Sequence, residues 1–357
     1  MMGTPLFVVA TGARTPLGLH SAATAAAVRA AISSCSEHPF MVDLLGDPMA
    51  ASMDAVLDAR LNCNERMLAM AQTALQEATL PFAHTPAPPT IPLWLGLPEP
   101  RPGFSEQDAQ QICQRLIRET ELPVKIGDRC AFMAGHSAVL SLLDQVMDDM
   151  NQGKYNACIV GGVDSYFHPD TLQWLDQNRQ LAGDRSRSGF VPGEGAGFCL
   201  LANLKGMQHF NNSTPMATIS STATAWESKL IKTQDINLGE GLTHTIRATV
   251  QGSAPSAPPI NAVYCDINGE RYRGEEWGFT CLKLAQYFDD PTGYCSPADC
   301  WGDMGAASGA LFMVLATQAA QRGYAQGTRN LLWASSEQGL RAAALVETNI
   351  TPTPFRG

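Results

Sequence analysis

The chain has 357 residues, of which 45 % are hydrophobic and only 16 % charged, and its formal net charge is −10. This length and composition fit a compact α/β protein of about two domains with a sizeable core. The acidic balance argues against a nucleic-acid partner, because phosphate contacts need clustered lysine and arginine.

The sequence predicts neither a membrane span nor a metal centre. No stretch approaches the roughly 20 apolar residues of a transmembrane helix, and Met1–Ala13 lacks the basic and apolar regions of a secretory signal. The ten cysteines are scattered singly, without the CxxC pairs of a zinc site or the regular spacing of a disulfide framework. We therefore expect a cytoplasmic protein with no metal and no cofactor.

Strand-like and helix-like segments alternate along the first half of the chain, which is typical of a parallel sheet with helices on its faces. The predicted elements are a strand at Leu6–Ala10, helices at Ser21–Ile32 and Asn64–Leu80 (with Asn64 as N-cap), a strand at Ile91–Leu97, and a helix opened by Ser105 and Asp108 as a capping pair. A short buried strand at Cys130–Ala134, a helix after Gly135, and strands at Ala157–Val160 and Phe198–Leu201 follow.

The same alternation starts again after residue 215. Strands are predicted near Ala217–Thr222, Ala262–Asp266, Leu331–Ser335 and Ala342–Val346, and helices near Leu242–Val250, Glu275–Tyr287 and Met304–Ala320. Two stretches with the same order of elements predict a duplicated α/β fold, with halves at residues 1–205 and 206–357.

Several motifs occur in the order found in the β-ketoacyl-acyl-carrier-protein synthases. The most specific is residues 184–197, DRSRSGFVPGEGAG, which is similar to that family's D-x-x-R-D-G-F-x-x-G-E-G-A-G. Val8–Gly12 resembles its opening strand, and Gly161–Asp164 resembles its Gly-Gly-Ala-Glu strand end. The resemblance covers nearly the whole chain and implies a thiolase-like fold with five layers, α/β/α/β/α.

The resemblance also implies that the family's catalytic residues have been replaced. The family's nucleophile is a cysteine at a strand-to-helix elbow, where the helix N-terminus lowers the thiol pKa. Counting back from Gly161 places His136 at that position, and the two histidine positions of the family fall on Asn268 and Asp303. We therefore expect no carbon–carbon condensation.

Two further positions are assigned to substrate binding by the resemblance. Phe190 lies in the glycine-rich motif, and Gly339 is the one glycine kept where the family has its gate loop, at Glu337–Ala342.

An inactive synthase homologue that pairs with an active ketosynthase is known as a chain-length factor, and this chain resembles such a partner. The resemblance implies a heterodimer with a ketosynthase subunit or a homodimer, in fatty-acid, polyketide or aryl-polyene-type synthesis. An acyl carrier protein is a further candidate partner. The strand at Ala157–Val160 is expected to form the pairing interface.

Two other interpretations of the replaced site stay open. In one, Asp303 orients His136 as a general base, against the plainer possibility of a buried polar cluster that satisfies itself. In the other, Ser137 in the string Gly135–Val139 is the nucleophile of an acyltransferase or hydrolase, although Val139 replaces the closing glycine of that elbow. Candidate bases for Ser137 are His168, His209 and His244.

The charged run Glu270–Trp277 follows the first replaced histidine position. It predicts either a salt-bridged helix start or a surface on which Arg271 and Arg273 contact an anionic group of a partner.

Overall fold

The computed structural model describes residues 5–83, 85–183, 186–210, 213–230, 233, 235–253 and 257–349. The first half contains β1 (Leu6–Arg14), α1 (Ser21–Arg29), β2 (Ser36–Val42), β3 (Pro48–Ala51), α2 (Cys63–Thr79), β4 (Thr90–Leu97), α3 (Glu106–Glu119), β5 (Lys125–Met133), α4 (Ala138–Asn151), β6 (Ala157–Ser165), α5 (Pro169–Gln177) and β7 (Glu194–Ala202). The second half contains β8 (Ala217–Trp226), α6 (Glu240–Gln251), β9 (Ala262–Cys265), α7 (Arg271–Leu284), α8 (Ala298–Trp301), α9 (Ser308–Gln321), β10 (Arg329–Ser335) and β11 (Leu340–Thr348). Among the helices in these ranges, none is long and apolar enough to cross a membrane.

Nine strands form one hydrogen-bonded series in the order β5-β4-β6-β7-β1-β8-β11-β10-β9. The two halves meet where β1, which pairs with β7 along most of its length, also pairs with β8 through Leu6–Val8. β2 and β3 form a separate two-stranded sheet, so the strands of the two halves run outward from this junction as β1-β7-β6-β4 and β8-β11-β10-β9. In each half the order is the first strand of the series, then the last, the second-last and the second. The described strands therefore repeat one topology, and the first half carries β5 as an additional edge strand. The pairs β4-β5, β4-β6 and β9-β10 are parallel and the other pairs are antiparallel, so the prediction of a parallel sheet is wrong. The division near residue 205 stays a prediction, and it falls between β7 and β8.

The helices lie in three layers around these strands. Helices α4 and α9 contribute to one core cluster together with strands of both halves, so they form the middle layer. Helices α2 and α3 cover the outer face of the first half, and α6 and α7 cover the outer face of the second. This arrangement confirms the expected five-layer α/β/α/β/α fold.

The start of α2 differs from the prediction, whereas that of α3 agrees with it. Asn62, not Asn64, caps α2, because its side-chain oxygen accepts a hydrogen bond from the Glu65 N–H at 3.0 Å. Asn64 instead donates to Asp108 at 2.7 Å. Ser105 and Asp108 form the expected reciprocal capping box at α3.

The strand before His136 is exposed, so the prediction of a buried strand is wrong. β5 pairs with β4 only and forms the edge of the series. Gly127, Asp128, Arg129 and Ala131 are exposed along it.

The expectation of a pairing interface at Ala157–Val160 is also wrong. These residues lie in β6, which is buried along its whole length and hydrogen-bonds to β4 on one side and β7 on the other. A strand with both edges occupied cannot pair with another chain.

Glu194, at the start of β7 in the glycine-rich motif, is fully buried and paired. Its carboxylate accepts hydrogen bonds from Arg66 Nε at 2.8 Å and Nη2 at 2.5 Å, from the Asp54 N–H at 2.8 Å and from Ser165 Oγ at 3.0 Å. Arg66 is 1 % exposed and Glu194 is 0 % exposed. The ion pair connects α2 to β7 and to the loop after β3. Because both charges are buried, removing either one would leave the other without compensation.

We predict that Glu194→Gln destabilises the fold by about 3 kcal/mol, because it leaves the Arg66 charge buried without a carboxylate. The matched control is Glu119→Gln on α3, whose ion pairs with Arg115 and Arg118 lie at the surface and contribute little. Urea unfolding of both variants tests this. Equal midpoints for the two variants would contradict the structural role of the buried pair.

Candidate functional site

His136 and Asp303 are placed by two matching turns at the starts of the middle-layer helices. His136 lies in the 3₁₀ turn Gly135–Ser137 that leads from β5 into α4, and Asp303 lies just before the 3₁₀ turn Gly305–Ala307 that leads into α9. Gly135 and Gly305 have positive φ values of 56° and 46°. A Cβ at Gly305 would lie 1.9 Å from a carboxylate oxygen of Asp164, so only glycine fits there.

The Asp303 carboxylate accepts hydrogen bonds from both halves of the chain. His136 Nε2 lies 2.8 and 2.9 Å from its two oxygens, and the Tyr166 hydroxyl donates at 3.0 Å. Asn268 Nδ2 donates at 2.5 Å and the Gly305 N–H at 2.7 Å. The structure therefore brings His136, Asn268 and Asp303 together in direct contact.

The electrostatics of this cluster favour an ion pair between His136 and Asp303. Burial alone would raise the Asp303 pKa, but His136, Arg273 and Asn268 hold that pKa well below its usual range. Burial and Arg273 act to lower the His136 pKa, but the Asp303 carboxylate outweighs them, so the pKa lies above its ordinary value. A protonated imidazole cannot accept a proton, which counts against His136 as a general base at neutral pH.

The two pKa shifts define the pH range in which the ion pair stabilises the fold. The contribution of His136 is fully present below its ordinary pKa of about 6.5 and is lost as the pH rises through the raised folded value. The contribution of Asp303 is present above about pH 3.9 and is lost as the pH falls through its depressed folded value.

A buried arginine that the sequence analysis did not assign to this site adjoins the pair. Arg273, on the first turn of α7, is 0 % exposed and donates to Asp266 at 2.6 Å, to the Ser335 carbonyl at 2.8 Å and to Glu270 at 3.2 Å. Its Nη2 lies 3.5 Å from His136 Nε2. Of the two interpretations of the charged run Glu270–Trp277, the salt-bridged helix start is therefore the one that fits Arg273. The sequence indicated this contact through the i, i+3 spacing of Glu270 and Arg273.

The space behind His136 and Asp303 is closed. The cavity there measures about 10 Å³, enough for about one water molecule, and Trp301, Met304 and Phe312 line it. In front of the pair lies a cavity of about 260 Å³, which His136 lines together with Glu99, Arg101, Tyr166, Trp174 and Glu337. Burial raises the Glu99 pKa above its ordinary value. We call the cluster of His136, Asn268 and Asp303 the altered centre, because the resemblance implies other residues there. These two cavities adjoin it on its closed and on its open side.

The two predicted substrate-binding residues do not line either cavity. Phe190 is 2 % exposed and packs on Tyr166, with 5.3 Å between the ring centres. Gly339, with a φ of 107°, closes the short turn between β10 and β11, where a Cβ would lie 2.6 Å from the Glu227 carbonyl oxygen. The first two residues of the glycine-rich motif, Asp184 and Arg185, lie outside the described residues.

Ser137 is placed as a structural residue and not as a nucleophile. It is 0 % exposed, and its hydroxyl lies 2.8 Å from the Ala334 carbonyl and 2.9 Å from the Leu340 carbonyl, either of which can accept its proton. Its N–H donates to Ser336 Oγ at 2.9 Å. Across the described ranges no histidine hydrogen-bonds this hydroxyl, and His168 Nδ1 instead accepts from the Asp170 N–H. No three His, Cys, Asp or Glu side chains in those ranges are arranged to hold a metal ion.

We predict that the His136 imidazole is protonated at pH 7 and that Asp303→Asn lowers its pKa, because the carboxylate is what raises this pKa against burial and Arg273. Nitrogen-15 chemical shifts of the histidine rings, followed from pH 5 to 9, measure this directly. His20, an exposed N-cap of α1, serves as the control ring and should not respond. A neutral His136 ring in the unmodified protein at pH 7 would show that the ion pair is misassigned.

Comparison with known proteins gives one family match within the chain. Residues 127–206, which include His136 and Glu194, match the family model described as the β-ketoacyl synthase N-terminal domain. No curated protein matches the sequence.

The chain is similar in structure to several solved ketosynthases. The ishigamide ketosynthase/chain length factor aligns over 97 % of this chain and 100 % of its own, with a TM-score of 0.69 and 18 % identity. A second match is the structure of a type II polyketide synthase acyl-carrier protein in complex with its ketosynthase bound to the hexaketide. Its TM-score is 0.72 and its sequence identity is 13 %, over 97 % of this chain and 99 % of that one.

The oxazolomycin ketosynthase domain of Streptomyces albus gives a TM-score of 0.74 and 17 % identity, over 98 % of this chain and 76 % of its own. At these identities the likeness shows the fold. The chain is therefore a protein of the thiolase-like ketosynthase fold, and its residues 127–206 are similar to the β-ketoacyl synthase N-terminal domain.

Proposed function

We propose that this chain is a non-condensing partner of a ketosynthase, similar to a chain-length factor, in polyketide- or fatty-acid-type synthesis. The observation that carries the proposal is the ion pair of His136 and Asp303. The sequence resemblance places these two residues at the positions of the family's nucleophile and of one of its histidines. Condensation needs a thiolate that forms an acyl intermediate, and an imidazolium held by a carboxylate cannot supply one.

The packing around the ion pair supports a structural role for the altered centre. Tyr166 and Asn268 donate hydrogen bonds to the Asp303 carboxylate, and both are buried. Since a buried ion pair with hydrogen-bonded neighbours holds adjoining elements in one arrangement, these residues serve the fold in the proposed role. The space behind them measures only about 10 Å³, which supports a contribution through pairing with an active subunit rather than through an acyl pocket at this point.

β5 is the surface best suited to that pairing. It is a nine-residue strand whose outer edge has no partner among the described strands, and it leads directly into the turn that holds His136. An exposed edge strand of this length is a template for pairing with another chain. We infer that β5 pairs with a strand of a ketosynthase subunit or, in a homodimer, with β5 of a second copy. An acyl carrier protein would dock on the assembled pair.

We predict that Ala131→Glu on the exposed edge of β5 weakens binding to the ketosynthase by at least about tenfold, because the new charge must be buried in the interface. The matched control is Ala26→Glu, the same change at an exposed alanine of α1. The measurement is co-expression with the ketosynthases encoded nearby, followed by co-purification and light scattering. If both variants bind as the unmodified chain does, β5 is not the interface, and if no ketosynthase co-purifies at all, the pairing function fails.

A further inference from the structure

A second cavity, of about 330 Å³, lies at the outer edge of β9, the end of the strand series opposite β5. It shares no lining residue with either cavity of the altered centre. Among the described strands none pairs with the outer edge of β9, and the segment at residues 288–295 lies along that edge. Its bridges run from Phe288 to Ile260, just before β9, and from Cys295 to Tyr264 in β9. The cavity opens beside this segment, against α1 and α9.

The cavity is lined by a tyrosine whose ring is buried and whose hydroxyl has no protein partner. Tyr264, on β9, is 9 % exposed, and across the described residues no group hydrogen-bonds its hydroxyl. Burial raises the pKa of Tyr264, so the hydroxyl keeps its proton and can donate it. Because no protein group competes for this hydroxyl, it is free to donate to water or to a ligand in the cavity that Tyr264 lines.

The walls of the cavity combine aromatic rings, an apolar floor and one uncompensated cation. Val28, Leu315 and Ala319 form the floor. The Arg29 guanidinium carbon lies 4.1 Å from the centre of the Tyr324 ring, and no carboxylate in the described ranges pairs with it. The one carboxylate of the lining, Asp290, is held within its own turn by the Thr292 N–H and hydroxyl, at 2.9 and 2.7 Å.

We propose that this cavity is a binding site for a small aromatic carboxylate. The aromatic body lies on the apolar floor beside the tyrosine rings, the carboxylate pairs with the Arg29 guanidinium, and the Tyr264 hydroxyl donates to an acceptor atom of the ligand. The volume lies at the lower end of the range for small-molecule sites, which suits a ligand of one or two rings. The site is independent of the pairing function, because it lies away from β5 and from His136.

The site can be tested with naphthoate as the probe, using the full-length protein and isothermal titration calorimetry. We expect binding at concentrations below about 1 mM, weakened about tenfold by Arg29→Gln and about fivefold by Tyr264→Phe. The tyrosine variant removes only an oxygen that has no partner in the protein, so its unfolding midpoint should match that of the unmodified chain. Arg271→Gln, at a 79 % exposed arginine on α7, is the control and should leave binding unchanged.

Two neutral or cationic analogues complete the test. Naphthylmethanol should bind at least about tenfold more weakly than naphthoate, and naphthylmethylamine more weakly still, because only the acid can pair with Arg29. The proposal is overturned if naphthoate does not bind at about 1 mM, if the amine binds more tightly than the acid, or if Arg29→Gln and Tyr264→Phe bind naphthoate as well as the Arg271→Gln control does.

Discussion

The Asp303 carboxylate joins the two halves of the chain at the altered centre. A buried carboxylate is stable only if donors surround it, and here they come from the turn before α4, the end of β6, the loop after β9 and the turn before α9. His136 supplies the opposite charge. Because the two residues lie at the starts of the two middle-layer helices, the ion pair also fixes α4 and α9 relative to each other.

The rest of the altered centre follows from that ion pair. In the proposed role Asp303 holds an imidazolium, and Trp301 and Phe312 are buried beside the small cavity behind the ion pair. The edge of β5, which has no partner among the described strands, lies immediately before His136. An ion-paired centre next to an open edge strand is the arrangement that the proposed partner subunit would have.

The sequence predicted the fold and the meeting of His136, Asn268 and Asp303 because the order of short motifs is enough to set a register over nearly the whole chain. Local hydrogen bonding was also predictable from the sequence, as in the capping box of Ser105. The burial of β5 could not be predicted, since an apolar run has the same sequence pattern at the edge of a sheet as in its centre. The buried position of Arg273 was ambiguous for a related reason, because its partners Asp266 and Ser335 belong to other elements, and no local pattern reports such contacts.

The most direct test of a non-condensing partner is an elongation assay with a co-purifying ketosynthase, a loaded carrier protein and this chain. The account predicts that the ketosynthase needs this chain for activity. It also predicts that His136→Gln in a stable pair leaves the rate within about twofold, because the residue does not touch the reaction. Carbon–carbon bond formation by this chain alone, or loss of elongation in a pair that still assembles with His136→Gln, would contradict it.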